Sequence, residues 1–254
     1  MPYPLRDPAD LEKLHARLPA EIPGPPVMAA HILLTGHGQV WADRLPEPRA
    51  ALFSCGFHHL LRGDPAAFVP GDLERHIRGY VEAPRWFLPL LRAAFPRITP
   101  WERIVHIQSG PVLPLDAAAV ARRLRPDDGL PDSLRWVADT WGGTDGLLAG
   151  GLAWGSFVRG RLVAVACPFL VGHVYEELAV ATEPAFRRRG LATACVLRLC
   201  ADIRRRGRVP SWTASRGNLP SRRLAWACGF RSVREDVHYA VGTDSGQPGL
   251  PLAA

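Results

Sequence analysis

The chain has 254 residues, a hydrophobic share of 47%, eight Trp, nine Phe and a formal charge of +7, a composition that excludes a disordered segment and fits a folded protein with one large core or two small ones. No run of eighteen apolar residues occurs and MPYPLRDPADLEKLHARLP has no apolar signal core, so a membrane span is not expected and a cytoplasmic location is. Lys13 is the only lysine beside 25 prolines. That pattern looks like a GC-rich codon bias, and with no groove-reading element or stacking platform the positive charge does not predict specific nucleic-acid binding.

In chain order, DPADLEKLHARL predicts a helix capped by Asp7 or Asp10 and stopped at Pro19. VMAAHILLTGHG predicts a second helix, ALFSCGFHHLL a strand with its exit, and GDLERHIRGYVEAPRWFLPLLRAAF helical material broken near Pro84. His58 and His59 are adjacent, so in a strand they point to opposite faces and do not share a metal. ERIVHIQSG is β-branched enough for a strand, and LDAAAVARRL predicts a helix. The Pro, Gly and Asp cluster over 126–133 is the strongest candidate for a domain boundary, separating an N-terminal unit (1–125) from a second one (130–243) and a frayed tail (244–254).

The second part is more regular. SLRWVADTWGG predicts a helix, LAWGSFVRGRLVAVACPFLV two strands turning at Gly160, and HVYEELAVAT a strand. In LATACVLRLCADIRRRG the residues Ala192, Cys195, Val196, Leu199 and Ile203 share one helical face. PSWTAS predicts a strand, LPSRRLAWACGF a helix ended by Gly229, and DVHYAVG a last strand. No internal repeat is legible. Cys55, Cys167, Cys195, Cys200 and Cys228 form no CxxC pair and are expected as buried thiols.

RRRGLAT, residues 187–193, joins a strand to an amphipathic helix. A Gly at such a junction lets backbone amides approach an anion, and the helix dipole adds favourable potential; the competing reading is a solvated arginine turn. Arg187, Arg188, Arg189, Gly190, Leu191 and Ala192 match the central motif of the GNAT superfamily of N-acetyltransferases, and ELAVATEPAFRRRGLATACVLRLCADIRRRGRVPSWTASRGNLPSRRLAWACGF resembles that superfamily's signature in its order of elements. The arrangement looks most like the branch in which a separate N-terminal domain precedes the catalytic one. The resemblance implies an α+β fold with a mixed central sheet over 130–243, preceded by an additional α/β domain that is either a degenerate copy of the same fold or a cap over the acceptor cleft.

It also implies acetyl-CoA as donor, no metal, and a small primary amine as acceptor attacked directly in a ternary complex; a homodimer is compatible with it. Amides and side chains of Arg188, Arg189, Gly190, Leu191, Ala192 and Thr193 are the implied pyrophosphate cradle. Leu178, Ala179 and Val180 are the implied backbone partners of the pantetheine arm, and Asn218 with Ser221 a further cofactor contact. Seven residues after Asn218 many members carry a tyrosine acid, where this chain has Ala225. Glu176 is the leading candidate base and Glu177 the second, with Tyr239 as a substitute source of a hydroxyl. The missing tyrosine leaves open a CoA-binding regulatory protein without turnover, and the phosphate motif does not exclude a different acyl group.

Overall fold

The computed structural model describes residues 2–113 and 120–242. In the first part, strand β1 (Tyr3–Leu5) leads into helices α1 (Pro8–Ala16) and α2 (Met28–Thr35), strands β2 (Gln39–Ala42), β3 (Ala50–Cys55) and β4 (His58–Gly63), helix α3 (Pro70–His76), strand β5 (Gly79–Glu82), helix α4 (Leu88–Ala94) and strand β6 (Ile98–Gln108). The second part runs β7 (Arg122–Arg123), a 3-10 helix (Asp132–Trp141), α5 (Thr144–Ala149), β8 (Trp154–Val158), β9 (Arg161–Val171), β10 (Tyr175–Thr182), α6 (Leu191–Arg205), β11 (Val209–Ser215), α7 (Leu219–Ala227) and β12 (Phe230–Val241).

The two parts repeat one order: strand, two helices, three strands, helix, strand, helix, strand. Their sequences hide it. Asp7 caps α1 by accepting from the Ala9 amide at 2.9 Å, as the helix-start chemistry requires. ALFSCGFHHLL, expected as one strand, is instead the β3–β4 hairpin, turning at Gly56 with φ +57°. GYVE, expected inside helical material, is strand β5, because its residues complete a sheet between β4 and β12. Of the expected helix LDAAAVARRL, residues 115–119 lie outside the described residues, and Arg122–Arg123 form the edge strand β7 against β8 rather than a helix.

All the strands share one sheet, in the order β1-β2-β3-β4-β5-β12-β6-β11-β10-β9-β8-β7. The last strand of each part is exchanged: β6 pairs with β11 of the second part, β12 pairs with β5 of the first, and β6 and β12 pair antiparallel with each other from Phe230↔Gln108 to Val241↔Ile98. The units expected at 1–125 and 130–243 therefore each complete the other's sheet. Helices α1, α2, α5 and the 3-10 helix cover one face, where Ala51, Phe53, Leu60, Cys167, Ala179 and Ala181 are buried. Helices α3 and α4, then α6 and α7, cover the opposite face over Leu52, Val81 and Tyr239 and over Leu178, Val180 and Trp212. Cys195, Val196, Leu199 and Ile203 of α6 are fully buried there, as their helical spacing predicts. All five cysteines are free and buried.

Side chains of the first part also hold the second: His31 bonds Thr140 O at 2.9 Å and the Val171 amide at 3.1 Å. Glu21, in the loop before α2, accepts from the backbone amides of His173, Val174 and Tyr175 at 2.8, 2.9 and 2.7 Å, and so fixes the turn that launches β10. Gly172 is required beside it, since a Cβ there would lie 2.4 Å from Glu21 Oε1. Glu21→Ala is expected to lower stability by about 2 kcal/mol or more, because three donors lose a charged acceptor. A urea midpoint unchanged from that of the parent chain would show the tie to be idle.

Candidate active site

The candidate site is set by the parting of β10 from β11. These strands run parallel and are paired only at Tyr175↔Val209, Glu176↔Pro210 and Glu177↔Ser211, while β10 stays paired with β9 as far as Thr182. Beyond Glu177 the β11-facing edge of Leu178, Ala179 and Val180 is thus open for pairing with an extended ligand arm, which would add itself as a strand. Leu178 and Val180 send their side chains under α6 and Ala179 to the other face; their backbones remain available whatever their side chains do.

At the far end of β10, Gly190 adopts φ +74° as the residue before α6, and Arg188 adopts φ +62°. The first intrahelical acceptor is Gly190 O, reached by the Ala194 amide at 3.0 Å, so the amides of Leu191, Ala192 and Thr193 precede the helical ladder and face outward from the positive end of a 15-residue helix. Arg189 donates to Ala185 O at 3.2 Å and lies over the Phe186 ring. The geometry fits a pyrophosphate. Asn218 caps α7 by accepting from the Ser221 amide at 3.1 Å, and Ser221 Oγ accepts from Trp212 Nε1 at 3.1 Å; both residues line the cavity described next.

That cavity, of about 100 Å³, lies where β10 and β11 separate, and it draws walls from both parts of the chain: Glu177, Ala179, Thr213 and Ser215 from the second, His58, Trp101 and Arg103 from the first, and His238 on the exchanged strand β12. Glu177 is 4% exposed. Its Oε2 accepts from Ser211 Oγ at 2.5 Å and its Oε1 from the Thr213 amide. Burial pushes its carboxyl above the usual range, while the Ser211 and Thr213 hydrogen bonds and the charge of Arg103 oppose the rise. Arg103 donates from Nη2 to Thr213 O at 3.0 Å and lies 3.9 Å over the Trp101 ring. Four buried polar atoms around this space have no partner: Arg103 Nε, Thr213 Oγ1, His58 Nε2 and His238 Nε2.

Two expected catalytic residues are placed elsewhere. Glu176 is fully buried, but it lies outside the cavity and is held by Arg206 at 2.9 and 2.7 Å and by Arg208 at 3.0 Å. Strand alternation turns it away from Glu177, and an acid clamped by two guanidinium groups is a structural ion pair that does not fit the role of base. Tyr239 packs with Leu52, Val81, Phe87 and Leu91 beneath α3 and α4, on the opposite sheet face from its neighbour His238. Tyr239→Phe is therefore expected to leave turnover unchanged within about twofold while altering stability slightly; a rate loss of tenfold would place its hydroxyl in the reaction. Ala225 is fully buried in the α6–α7 core, so the position at which the resemblance implies a tyrosine has no hydroxyl. His59, on the other face of β4 from His58, bonds Ser54 and the Arg78 backbone.

Arg103 and His238 carry no motif, and nothing in the sequence pattern puts these distant residues on one face. What joins them to Glu177 is the strand exchange. Among the described residues no group of three or more His, Cys, Asp or Glu is placed to hold a metal ion, and no helix is long and apolar enough to cross a membrane.

The profile of the GNAT acetyltransferase family matches residues 132–239. The chain is also 45% identical over 189 residues to an uncharacterized N-acetyltransferase of the mutA 5′ region of Streptomyces virginiae, an alignment that spans 71% of this chain and 80% of that protein. The chain belongs to the GNAT acetyltransferase family.

Solved GNAT structures share its fold well beyond the matched segment. A GCN5-related N-acetyltransferase-like protein from Streptococcus suis superposes with a TM-score of 0.71 at 18% identity, covering 92% of this chain and all of that one. A tandem GNAT protein from the clavulanic acid biosynthesis pathway superposes with a TM-score of 0.53 at 13% identity, over 96% and 99% of the two chains. These likenesses extend the GNAT fold over both parts, in agreement with the repeated order of elements.

Proposed function

We propose that the protein transfers an acetyl group from acetyl-CoA to a primary amine of a small acceptor, by direct attack in a ternary complex, with Glu177 as the base. The observation that supports this most is the meeting of three features at one opening: the outward amides of α6, the open edge of β10, and the buried carboxylate of Glu177 where β10 and β11 part. The amides of Leu191, Ala192 and Thr193 would hold the pyrophosphate, with Arg188 and Arg189 at its rim, and the open edge of Leu178, Ala179 and Val180 would hold the pantetheine arm. The donor supplies an activated thioester carbonyl.

The remaining steps fall to the chain itself. An amine arrives as an ammonium and must lose a proton before it attacks. Glu177 sits in the parting with its carboxylate held by Ser211 and the Thr213 amide, and burial makes it a stronger base than an exposed glutamate. The departing thiolate needs a proton that Ala225 cannot give. The thiolate would take up the proton that the nitrogen loses as the amide forms, with Thr213 Oγ1, a buried hydroxyl lining the cavity, supplying a hydrogen bond there. The absent tyrosine also supports a second reading, a CoA-binding regulatory protein without turnover.

Calorimetric titration with acetyl-CoA, CoA and a longer acyl-CoA at one salt concentration tests the donor assignment. Saturable, stoichiometric binding with acetyl-CoA preferred supports it. Binding of no thioester defeats it, and binding without thiol release across an amine panel selects the regulatory reading.

A further inference from the structure

The cavity contains a cation that the proposed transfer does not use. Arg103 lies in the middle of β6 with its Nε buried and without a partner, and among the described residues no carboxylate lies within 4.0 Å of its guanidinium. Asp236, its cross-strand neighbour, is taken by Arg234 at 2.9 Å. Glu177 and Asp236 act on its charge only from beyond ion-pair distance, and a largely buried guanidinium without a direct ion-pair partner is costly, which favours an anionic ligand there.

The position of that charge is informative. Arg103 holds the carbonyl of Thr213 and Glu177 holds the amide of the same residue. In a strand these two groups point the same way, so the guanidinium reaches over β11 into the parting where the carboxylate sits. A cation and an anion are thereby held at the carbonyl and the amide of one residue without pairing directly with each other, an arrangement complementary to a ligand that carries a carboxylate and an amine close together.

We propose that the acceptor is an amino-acid-sized zwitterion whose carboxylate is anchored by Arg103 and whose amine faces Glu177, an assignment that rests on the donor cleft proposed above. Arg103 suits a planar carboxylate because its fork can donate two parallel hydrogen bonds, and its stacking 3.9 Å over the Trp101 ring orients the fork. His58 and His238 add hydrogen-bonding nitrogens without adding charge: burial and the nearby Arg103 hold the His58 imidazole down to about 3 and depress that of His238 strongly. One permanent cation matches a singly charged carboxylate better than a phosphate, and a space of about 100 Å³ matches a small acceptor. Selection of the acceptor would then belong largely to the first part of the chain, through Arg103 and His58, and transfer to the second.

The test uses matched pairs with and without the carboxylate: glycine and methylamine, L-alanine and ethylamine, L-leucine and isopentylamine, L-phenylalanine and phenethylamine. Each is assayed with the full chain and acetyl-CoA for thiol release and for the acetylated product, and each is also titrated into the protein without donor. The expected result is at least one amino acid used with kcat/KM about 30-fold or more above its decarboxylated partner, and Arg103→Met removing that ratio mainly by raising KM for the amino acid. A role of Arg103 confined to supporting Glu177 would instead lower both members of each pair alike. Arg103→Lys, which keeps the charge without the fork, is expected to fall between, and it carries the test together with the wild-type ratios should the methionine variant not fold. Decarboxylated amines used as well as the amino acids overturn the proposal, as does a ratio untouched by either variant, or no use of any amino acid by protein that binds acetyl-CoA normally. If acetyl-CoA does not bind, the donor reading fails by itself, and amino acids binding no better than the bare amines in the donor-free titrations then overturns the anchor independently.

Discussion

Gly190→Asp is expected to weaken acetyl-CoA binding by roughly 100-fold or more, since a carboxylate would stand at the positive end of α6 where the pyrophosphate would lie. The residue has two separable duties. Its φ of +74° favours glycine, so any side chain adds about 1 kcal/mol or more of backbone strain, and its lack of a Cβ keeps the approach to the Leu191, Ala192 and Thr193 amides clear. Gly190→Asn separates charge from strain, because asparagine has nearly the same shape and tolerates the left-handed conformation equally well. Calorimetry should rank the affinities Gly above Asn above Asp, with folding checked by the far-ultraviolet spectrum. Equal affinity for all three would remove the anion site from the start of α6.

Glu177→Gln is expected to lower kcat by about 100- to 1000-fold with little change in acetyl-CoA affinity, the range ordinarily lost with a positioned base. Glutamine can accept from the Thr213 amide through its one oxygen and donate its NH2 to Ser211 Oγ, whose hydroxyl can turn to accept, so the local geometry should persist. The pH dependence carries the sharper signature. A base works when deprotonated, and burial raises the Glu177 carboxyl above the usual carboxylate range; activity should therefore rise with pH through that raised value, later than an exposed glutamate would allow, and level off above it. The variant should lose this acidic limb. A variant that retains both rate and limb would show the proton leaving by another route, and Glu177 would then be a structural acid bracing β11.

Much of the second part was legible in the sequence because its signals are local. The glycine at the entry of α6, the 3.6-residue spacing of Cys195, Val196, Leu199 and Ile203, the Asn218 cap and the turn at Gly160 depend on neighbours a few residues away, and the structure has them as the pattern requires. Alternation along HVYEELAV also put Glu176 and Glu177 on opposite faces, but it could not say which face opens onto a cavity. The order of the two candidates was decided by Arg206 and Arg208, which close over Glu176 from beyond the end of α6.

Composition and local pattern by themselves determined an α+β second part, a glycine-led helix start and five buried thiols, and the motif at that helix start carried the resemblance to the GNAT superfamily. Only the tertiary structure decided that the first part repeats the same order, that β6 and β12 are exchanged, and that Arg103, His58 and His238 meet Glu177 in one cavity. Helix caps and hydrophobic periodicity are properties of adjacent residues and are written wherever the chain is read. Strand pairing joins residues such as Arg103 and Ser215, or His238 and Glu82, that lie more than a hundred positions apart, and no local propensity records which distant strand will close the sheet.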